Sequence, residues 1–149
     1  MTSFLDIVTT LCIGLLIGTE FAVSAFINPI LNQLDGRAQA GATRLFAKKL
    51  GTAMPFWYSA SLLLLIAAAV MHRQQSGSPL LIVASVIWAA VVVLSITVLV
   101  PINNRIMRFG GDEFPAEARR EHRKWDALHR LRVVALAAAM GCFLVAVHV

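Results

Sequence analysis

The stretch "VIWAAVVVLSITVLV", residues 86–100, decides the fold class of this chain. It has no polar face at the 3.6-residue period that a helix on the surface of a soluble protein shows. It belongs to one of four apolar runs, at residues 4–27, 54–71, 80–102 and 132–149. Because a helix needs about 20 apolar residues to cross a bilayer, the sequence predicts an all-α, integral membrane four-helix bundle.

Composition agrees with a membrane protein. Of the 149 residues, 58% are hydrophobic and only 14% are charged, whereas a soluble domain carries about 25% charged residues. No internal repeat is evident. We predict a single four-helix domain over residues 1–149, with spans at about residues 4–27, 52–71, 80–102 and 129–149.

The first and last helices each need a separate argument. Asp6 and Glu20 interrupt the first apolar run and no Lys or Arg precedes it, so we expect a retained membrane helix rather than a cleaved signal peptide. Near the other end, a Gly-rich break at residues 108–115 is followed by Pro115 at the first position of a helix. We predict one helix from there to the C terminus, extending beyond the bilayer into the cytoplasm.

The net charge of +5 is distributed very unevenly. Twelve of the thirteen Lys and Arg residues lie between spans one and two, or between or at the edges of spans three and four, and only Arg73 lies in the remaining connection. The positive-inside rule therefore predicts two cytoplasmic basic loops and both termini outside, in a bacterial inner membrane. The basic residues also predict contact with membrane lipids, and nothing further favours nucleic acid.

Polar residues converge at the cytoplasmic end of the predicted spans. Counted from the outer ends at about 20 residues per span, Glu20 and Arg132 lie at similar depths. Polar groups at such depths are costly, so each needs a reason. The predicted polar layer contains Glu20, Ser24, Asn28, Trp57, Tyr58, Ser61, Asn103, Asn104, Trp125, His129 and Arg132. Contributions from all four spans predict a polar pocket at this level.

Structural interpretations of the same residues remain open. Trp57, Tyr58 and Trp125 could form an aromatic belt at the membrane interface, and Arg132 could extend to lipid headgroups. The asparagines could cap helix ends, and the histidine could lie on the surface. Glu20 is harder to dismiss, because a carboxylate in hydrocarbon needs a partner or a proton; its structural alternative is an ion pair with Arg132.

Cofactor and metal sites have little support in the sequence. Glu20 and His129 would supply only two metal ligands, so we predict no metal site. Cys12 and Cys142 lie among apolar neighbours and are expected to be small buried hydrophobes. No nucleotide-binding fingerprint occurs. We therefore predict no cofactor.

Two motifs resemble a known family. "PINNRI", residues 101–106, closes span three, and Trp125, His129 and Arg132 open span four. This arrangement resembles the anthrone oxygenase-like family of small four-span membrane proteins, many of which are catalogued only as a domain of unknown function. "GTEFAVSAFINPIL", residues 18–31, is similar to the first span of that family.

The resemblance implies a cofactor-independent oxidation of a lipophilic anthrone to an anthraquinone by O₂. It implies a base, which would be His129 or Glu20, and stabilisation of an oxyanion by Arg132 or Asn104. Aromatic side chains would stack on the flat substrate. The predicted catalytic residues are His129, Arg132, Glu20 and Asn104, and the predicted substrate-binding residues are Trp125, Trp57, Tyr58, Asn28, Asn103 and Ser24.

Other functional classes stay open at this point. A non-catalytic membrane protein would use the polar layer structurally, or to bind a lipid, a quinone or a partner helix. A proton-coupled transporter is disfavoured because four short spans without an inverted repeat give one chain little to move. The expected partners are a lipophilic small molecule, membrane lipids and a second copy of the chain.

Overall fold

The structure is a computed structural model that describes residues 3–108 and 115–149. Within these ranges it contains no strand, and it has four helices long and apolar enough to cross a membrane. They are α1 (Phe4–Leu31), α2 (Gly36–Met71), α3 (Ser78–Arg108) and α4 (Ala116–Ala146). The predicted all-α membrane bundle is confirmed.

Local sequence signals set the starts of the helices. At α1 the Ser3 hydroxyl accepts from the Asp6 amide at 3.2 Å and the Asp6 carboxylate accepts from the Ser3 amide at 2.8 Å, which is a capping box. The Asp35 side chain caps α2 by accepting from the Ala38 amide. Pro115 is the N-cap residue of α4, one position before the first helical position that was predicted for it. The rest of the predicted Gly-rich break lies outside the described residues.

The helices pack in a ring. Helix α1 packs against α2 and α4, and α3 packs against the same two helices. The interior contains fully buried apolar side chains such as Leu16, Leu65, Trp88 and Phe143. Large apolar side chains also cover the outside of the bundle, among them Leu15, Leu63, Val86 and Val134. Such an extensive exposed apolar surface fits lipid rather than water.

All four helices are longer than the hydrocarbon core of a bilayer, and α2 and α4 extend furthest beyond their predicted spans. At 1.5 Å per residue, the 36 residues of α2 and the 31 of α4 correspond to about 54 Å and about 46 Å, against a hydrocarbon core of about 30 Å. Both begin well before the predicted spans, which start at residues 52 and 129. The predicted extension of the last helix is therefore confirmed, and α2 extends on the same side.

The bundle has two distinct ends. The terminal end carries the start of α1, the α2–α3 connection and the end of α4, and the basic end carries the α1–α2 connection, the end of α3 and the start of α4. At the terminal end a Cβ added to Gly77 would overlap the backbone of Ala146, so only glycine allows this close approach. The Ser76 hydroxyl donates to the Val149 carbonyl at 2.7 Å. The α2–α3 connection is thus packed tightly against the end of α4.

Candidate functional site

Three ionisable side chains meet inside the bundle near its basic end. Glu20 on α1 and His129 and Arg132 on α4 are 2%, 1% and 8% exposed. Arg132 Nη2 donates to Glu20 Oε2 at 2.5 Å and to His129 Nδ1 at 2.8 Å. His129 Nδ1 lies 3.2 Å from Glu20 Oε2. His129 and Arg132 share one face of α4 because they are three residues apart.

The hydrogen bonds of His129 fix where its proton is. His129 Nε2 lies 3.1 Å from the backbone carbonyl oxygen of Glu20. A carbonyl only accepts, so Nε2 carries a hydrogen. In the neutral ring Nδ1 is then an acceptor, which matches the hydrogen bond from Arg132. A second proton could occupy Nδ1, beside the Glu20 carboxylate, only after Nδ1 gives up its hydrogen bond from Arg132, because both groups would then be donors.

The Arg132 guanidinium has contacts with two further helices. Its Nη1 donates to the Ser95 hydroxyl on α3 at 3.2 Å, and its central carbon lies 5.4 Å from the centre of the Tyr58 ring on α2. Arg132 Nε and the Tyr58 hydroxyl are buried without a hydrogen-bond partner among the described residues. Buried polar atoms of this kind are usually satisfied, so a ligand oxygen would complete this group.

An aromatic stack extends from these residues towards the basic end. The rings of Trp125 and His129 are 4.6 Å apart and inclined by 11°, and those of His122 and Trp125 are 6.1 Å apart and inclined by 10°. Their spacing of three and four residues places all of them on one face of α4. The sequence analysis missed His122, although its position three residues before Trp125 was a usable signal.

A narrow cavity of about 190 Å³ runs along these groups. Side chains of all four helices line it, most of them apolar. It extends from Tyr58 to Thr43, both on α2, whose separation corresponds to about 22 Å at 1.5 Å per residue. The Thr43 hydroxyl is buried and has no hydrogen-bond partner within the described part of the chain. The cavity is therefore elongated and apolar, with unmatched polar atoms at both ends.

The structure brings most of the predicted site residues to this cavity. Those that line it are Glu20, Asn28, Tyr58, Asn103, Trp125, His129 and Arg132. Ser24, Trp57 and Asn104 are not among the lining residues. Asn104 is exposed, whereas its neighbour Asn103 faces the cavity, because consecutive helical residues point about 100° apart. Trp57 instead donates its indole N–H to the Cys12 carbonyl at 3.1 Å.

Two π-helical turns border the cavity, at Val23–Ile27 in α1 and Ser95–Leu99 in α3. Such turns recur at functional sites and change the angular position of the residues around them. In α1 the turn follows Glu20 closely, so that Val23 and Asn28 line the cavity and Ser24 does not. Helical-wheel reasoning assumes a straight α-helix, and for that reason it grouped Ser24 with Glu20.

Asn28 and Ser95 connect the site to its surroundings. The Asn28 amide donates to Asp126 Oδ1 at 2.7 Å, and Arg130 Nη2 donates to Asp126 Oδ2 at 2.7 Å. Asn28 thereby ties α1 to α4. Ser95, which the sequence analysis also missed, bonds to the Val91 carbonyl as well as to Arg132. Nothing in an apolar run distinguishes a serine that also contacts an arginine from one that bonds only to its own helix.

The described residues contain no group of three or more His, Cys, Asp or Glu side chains placed to hold a metal ion. The candidate site consists instead of the Glu20 carboxylate, the His129 imidazole and the Arg132 guanidinium, beside an apolar cavity. Cys12 and Cys142 are both free thiols.

Comparison with known proteins identifies one family. The sequence profile described as anthrone oxygenase matches residues 42–142, which is more than half of the chain. The matched range includes Tyr58, Trp125, His129 and Arg132 but not Glu20, which the structure adds to the group. No curated protein and no solved structure matches the chain.

Proposed function

The chain belongs to the anthrone oxygenase family, and on that premise we propose that it is a cofactor-independent membrane oxygenase for a lipophilic, anthrone-type aromatic. The observation that carries this proposal is the buried Glu20–His129–Arg132 group at the end of an apolar cavity. An acid–base pair next to a fixed cation suits a reaction that starts with removal of a proton and forms an oxyanion.

The proposed reaction consumes one O₂ and releases one water per substrate. A base first removes a proton from the methylene carbon opposite the anthrone carbonyl, which gives an enolate. The enolate carbon transfers electrons to O₂ and bonds to it, and protonation yields a hydroperoxide. Loss of the second proton from that carbon then breaks the O–O bond, so that water leaves and a second carbonyl remains. The carbon is oxidised and O₂ is reduced.

Glu20 is the best candidate for the base. Both nitrogens of His129 are engaged, Nε2 by the Glu20 carbonyl and Nδ1 by Arg132. The Glu20 carboxylate lines the cavity and lies 3.2 Å from His129 Nδ1. Glu20 would therefore take the proton from the substrate and pass it to His129 Nδ1 once that atom gives up its hydrogen bond from Arg132, and His129 would later return a proton to the peroxide.

Arg132 and Tyr58 would stabilise the enolate oxygen. The guanidinium is held in place by Glu20, His129 and Ser95, and its Nε has no partner among the described residues. Donors fixed before the reaction stabilise developing charge without reorganisation, and a dry cavity strengthens their effect. Trp125, which is stacked on His129, offers an aromatic face to a flat ring.

We also propose that the basic end of the bundle faces the cytoplasm. Twelve of the thirteen Lys and Arg residues belong to the segments at that end, which supports this orientation through the positive-inside rule. The substrate site would then lie within the cytoplasmic half of the membrane.

Quinone formation by the purified protein tests the proposed reaction. Protein in detergent micelles is incubated with anthrone in air, and quinone absorbance and O₂ uptake are followed after subtraction of autoxidation. His129→Phe keeps a ring against Trp125 but removes both nitrogens, so it should lower the rate by about 10²–10⁴-fold. His148→Phe, at the exposed terminal end, is the matched control and should retain the rate. Equal rates for wild type and His129→Phe would exclude the proposed catalysis.

Binding of a quinone without turnover is the second candidate function. At the end of the cavity near Tyr58, two buried polar atoms have no hydrogen-bond partner among the described residues. They are Arg132 Nε, which can only donate, and the Tyr58 hydroxyl. Two such groups suit the carbonyl oxygens of a quinone. Saturable binding of an anthraquinone together with no oxidation of any anthrone would favour this function over the first.

A further inference from the structure

The cavity opens to the outside on one side only. Among its described lining residues, the exposed ones all belong to α2 and α3, whereas those of α1 and α4 are buried or half-buried. The exposed lining residues are Phe46, Gly51, Pro55, Ser59, Ile96 and Val100. We call the opening formed by Gly51, Pro55, Ser59, Ile96 and Val100 the window.

The α2 edge of the window is formed by residues without large side chains. Gly51, Pro55 and Ser59 follow one another at four-residue intervals, so they form a stripe about 12 Å long on one face of α2. None of them has a large side chain, and the Ser59 hydroxyl is turned towards the Pro55 carbonyl at 2.8 Å. Ile96 and Val100, one turn apart on α3, form the opposite edge.

Both helices that border the window have an irregular backbone at its level. Pro55 lies inside α2 and has no N–H to donate to the Gly51 carbonyl. The π-helical turn Ser95–Leu99 lies in α3 and contains Ile96. Prolines and π-helical turns are the usual causes of bends in helices. Pro55 and the π-helical turn lie on opposite sides of the same gap. This arrangement supports the interpretation of the gap as an opening of the cavity rather than as a packing defect.

At the other end of the cavity, towards the basic end, most of the described lining residues are buried, and Phe46 is the exposed one at that level. Leu31, Thr43, Ile106 and His122 line that end and all are buried. Next to it α2 and α3 are in ordinary van der Waals contact, since a Cβ on Gly51 would lie 3.9 Å from the side-chain nitrogen of Asn103. Access through the window is therefore better supported than access along the bundle axis.

The window carries no charged side chain, and its exposed neighbours include the apolar Phe56 and Val93 as well as the uncharged Thr52 and Thr97. A rim of this kind would contact lipid chains. We infer that the cavity takes up a flat lipophilic ligand directly from the bilayer, through this window between α2 and α3. The inference rests on the proposed function for the class of ligand, while the route itself follows from the exposure of the lining residues.

Binding kinetics in lipid nanodiscs test the route. The probe is a dihydroxyanthraquinone, which is already oxidised at its central ring, and its binding is followed by quenching of tryptophan fluorescence in a stopped-flow instrument. Ser59→Phe and Ile96→Trp each narrow the window from one side. Ala60→Phe and Val86→Trp are matched controls, because both residues are exposed on the same two helices and neither lines the cavity.

A narrowed route slows entry and exit equally. We expect both window variants to lower the association and dissociation rates by about tenfold while Kd changes by less than about twofold, and both controls to keep the wild-type rates. The wild-type association rate should follow the mole fraction of probe in the lipid. A rate that follows the aqueous concentration, unchanged rates in both window variants, equal slowing by the controls, or no saturable binding would each overturn the inference. Since no step requires oxidation, slowed binding together with absent oxidation would refute the proposed reaction and leave the route supported.

Discussion

Two buried carboxylate–histidine pairs lie at opposite ends of the bundle. At the terminal end Asp6 Oδ1 is 2.9 Å from His72 Nε2, and at the basic end Glu20 Oε2 is 3.2 Å from His129 Nδ1. Each pair joins α1 to another helix, and all four side chains are buried. Yet Asp6 also accepts from the Ser3 amide in the capping box, and neither Asp6 nor His72 lines the elongated cavity.

The difference shows that a buried acid–histidine pair is not by itself a functional site. The terminal pair completes a helix start and connects α1 to the end of α2. The basic pair has a third member, Arg132, and it adjoins a cavity whose lining residues include Arg132, Tyr58 and Thr43, each with a buried polar atom that has no partner among the described residues. These additions, rather than the pair, carry the proposal of chemistry.

Removing the carboxylate charge at each pair should have the largest and most unequal effect. Glu20→Gln should lower the rate of anthrone oxidation by about 10²–10⁴-fold, because it removes the proposed base. Asp6→Asn should leave that rate within about twofold of wild type, since it lies at the other end of α1. The measurement is quinone formation by protein that has been checked for folding. Equal losses for the two variants would erase the functional distinction between the pairs.

Loss of the cation should strongly destabilise the basic end. Arg132→Met leaves the Glu20 carboxylate buried without its charge partner, and we expect a loss of about 3–5 kcal/mol in the free energy of unfolding. The double variant Glu20→Gln/Arg132→Met should regain most of that loss, because no buried charge remains unpaired. Both are measured by denaturant unfolding in mixed micelles. A single variant as stable as wild type would show that Glu20 is not ionised in the folded protein.

Much of the fold could be predicted from the sequence, because the lipid environment imposes simple rules. Apolar runs such as residues 86–100 define helices, and Pro115 marks the start of the last one. The similar depth of Glu20 and Arg132 was predicted by counting residues inward from the outer ends of the predicted spans. Depth along a membrane helix is close to a linear function of residue number, so a sequence shows which residues share a level.

The rotation of each helix could not be predicted in the same way. The π-helical turns changed which neighbours of Glu20 face the cavity, and Ser24 was misplaced for that reason. Thr43 was missed because its level is beyond the predicted second span and its role depends on a cavity formed by other helices. Such features arise from packing between helices, which leaves no periodic signal in one helix.

We expect close packing to contribute more to the free energy of unfolding at the terminal end than at the basic end. A Cβ at Gly77 would overlap the Ala146 backbone, so Gly77→Ala should cost about 1–3 kcal/mol in the free energy of unfolding. Gly18→Ala is the control, because a Cβ there meets no atom within 4 Å and should be tolerated. Thermal unfolding in detergent measures both. The anthrone oxidation rate of folded Gly77→Ala should equal that of wild type, and a lower rate would mean that the two ends are coupled.

Two buried threonines provide the finest comparison. The Thr9 hydroxyl, near the terminal end, donates to the Leu5 carbonyl at 2.8 Å, whereas the Thr43 hydroxyl has no partner among the described residues and lines the cavity. Thr9→Val should therefore lower the free energy of unfolding by about 0.5–1.5 kcal/mol and leave binding of dihydroxyanthraquinone unchanged. Thr43→Val should show the reverse for an anthraquinone whose side chain is long enough to reach Thr43, with unchanged stability and a binding free energy weaker by about 0.5–1.5 kcal/mol.

Fluorescence titration measures the ligand affinity of each threonine variant, and thermal unfolding measures its stability. If Thr43→Val loses stability and keeps its affinity, the hydroxyl serves the fold and the ligand does not reach that end of the cavity. If Thr43→Val keeps its stability and loses affinity, the bound ligand extends along α2 from Tyr58 to Thr43. That distance is longer than a single aromatic ring. The ligand would then need a polar group at each end, since the unmatched protein atoms lie at both ends of an apolar passage.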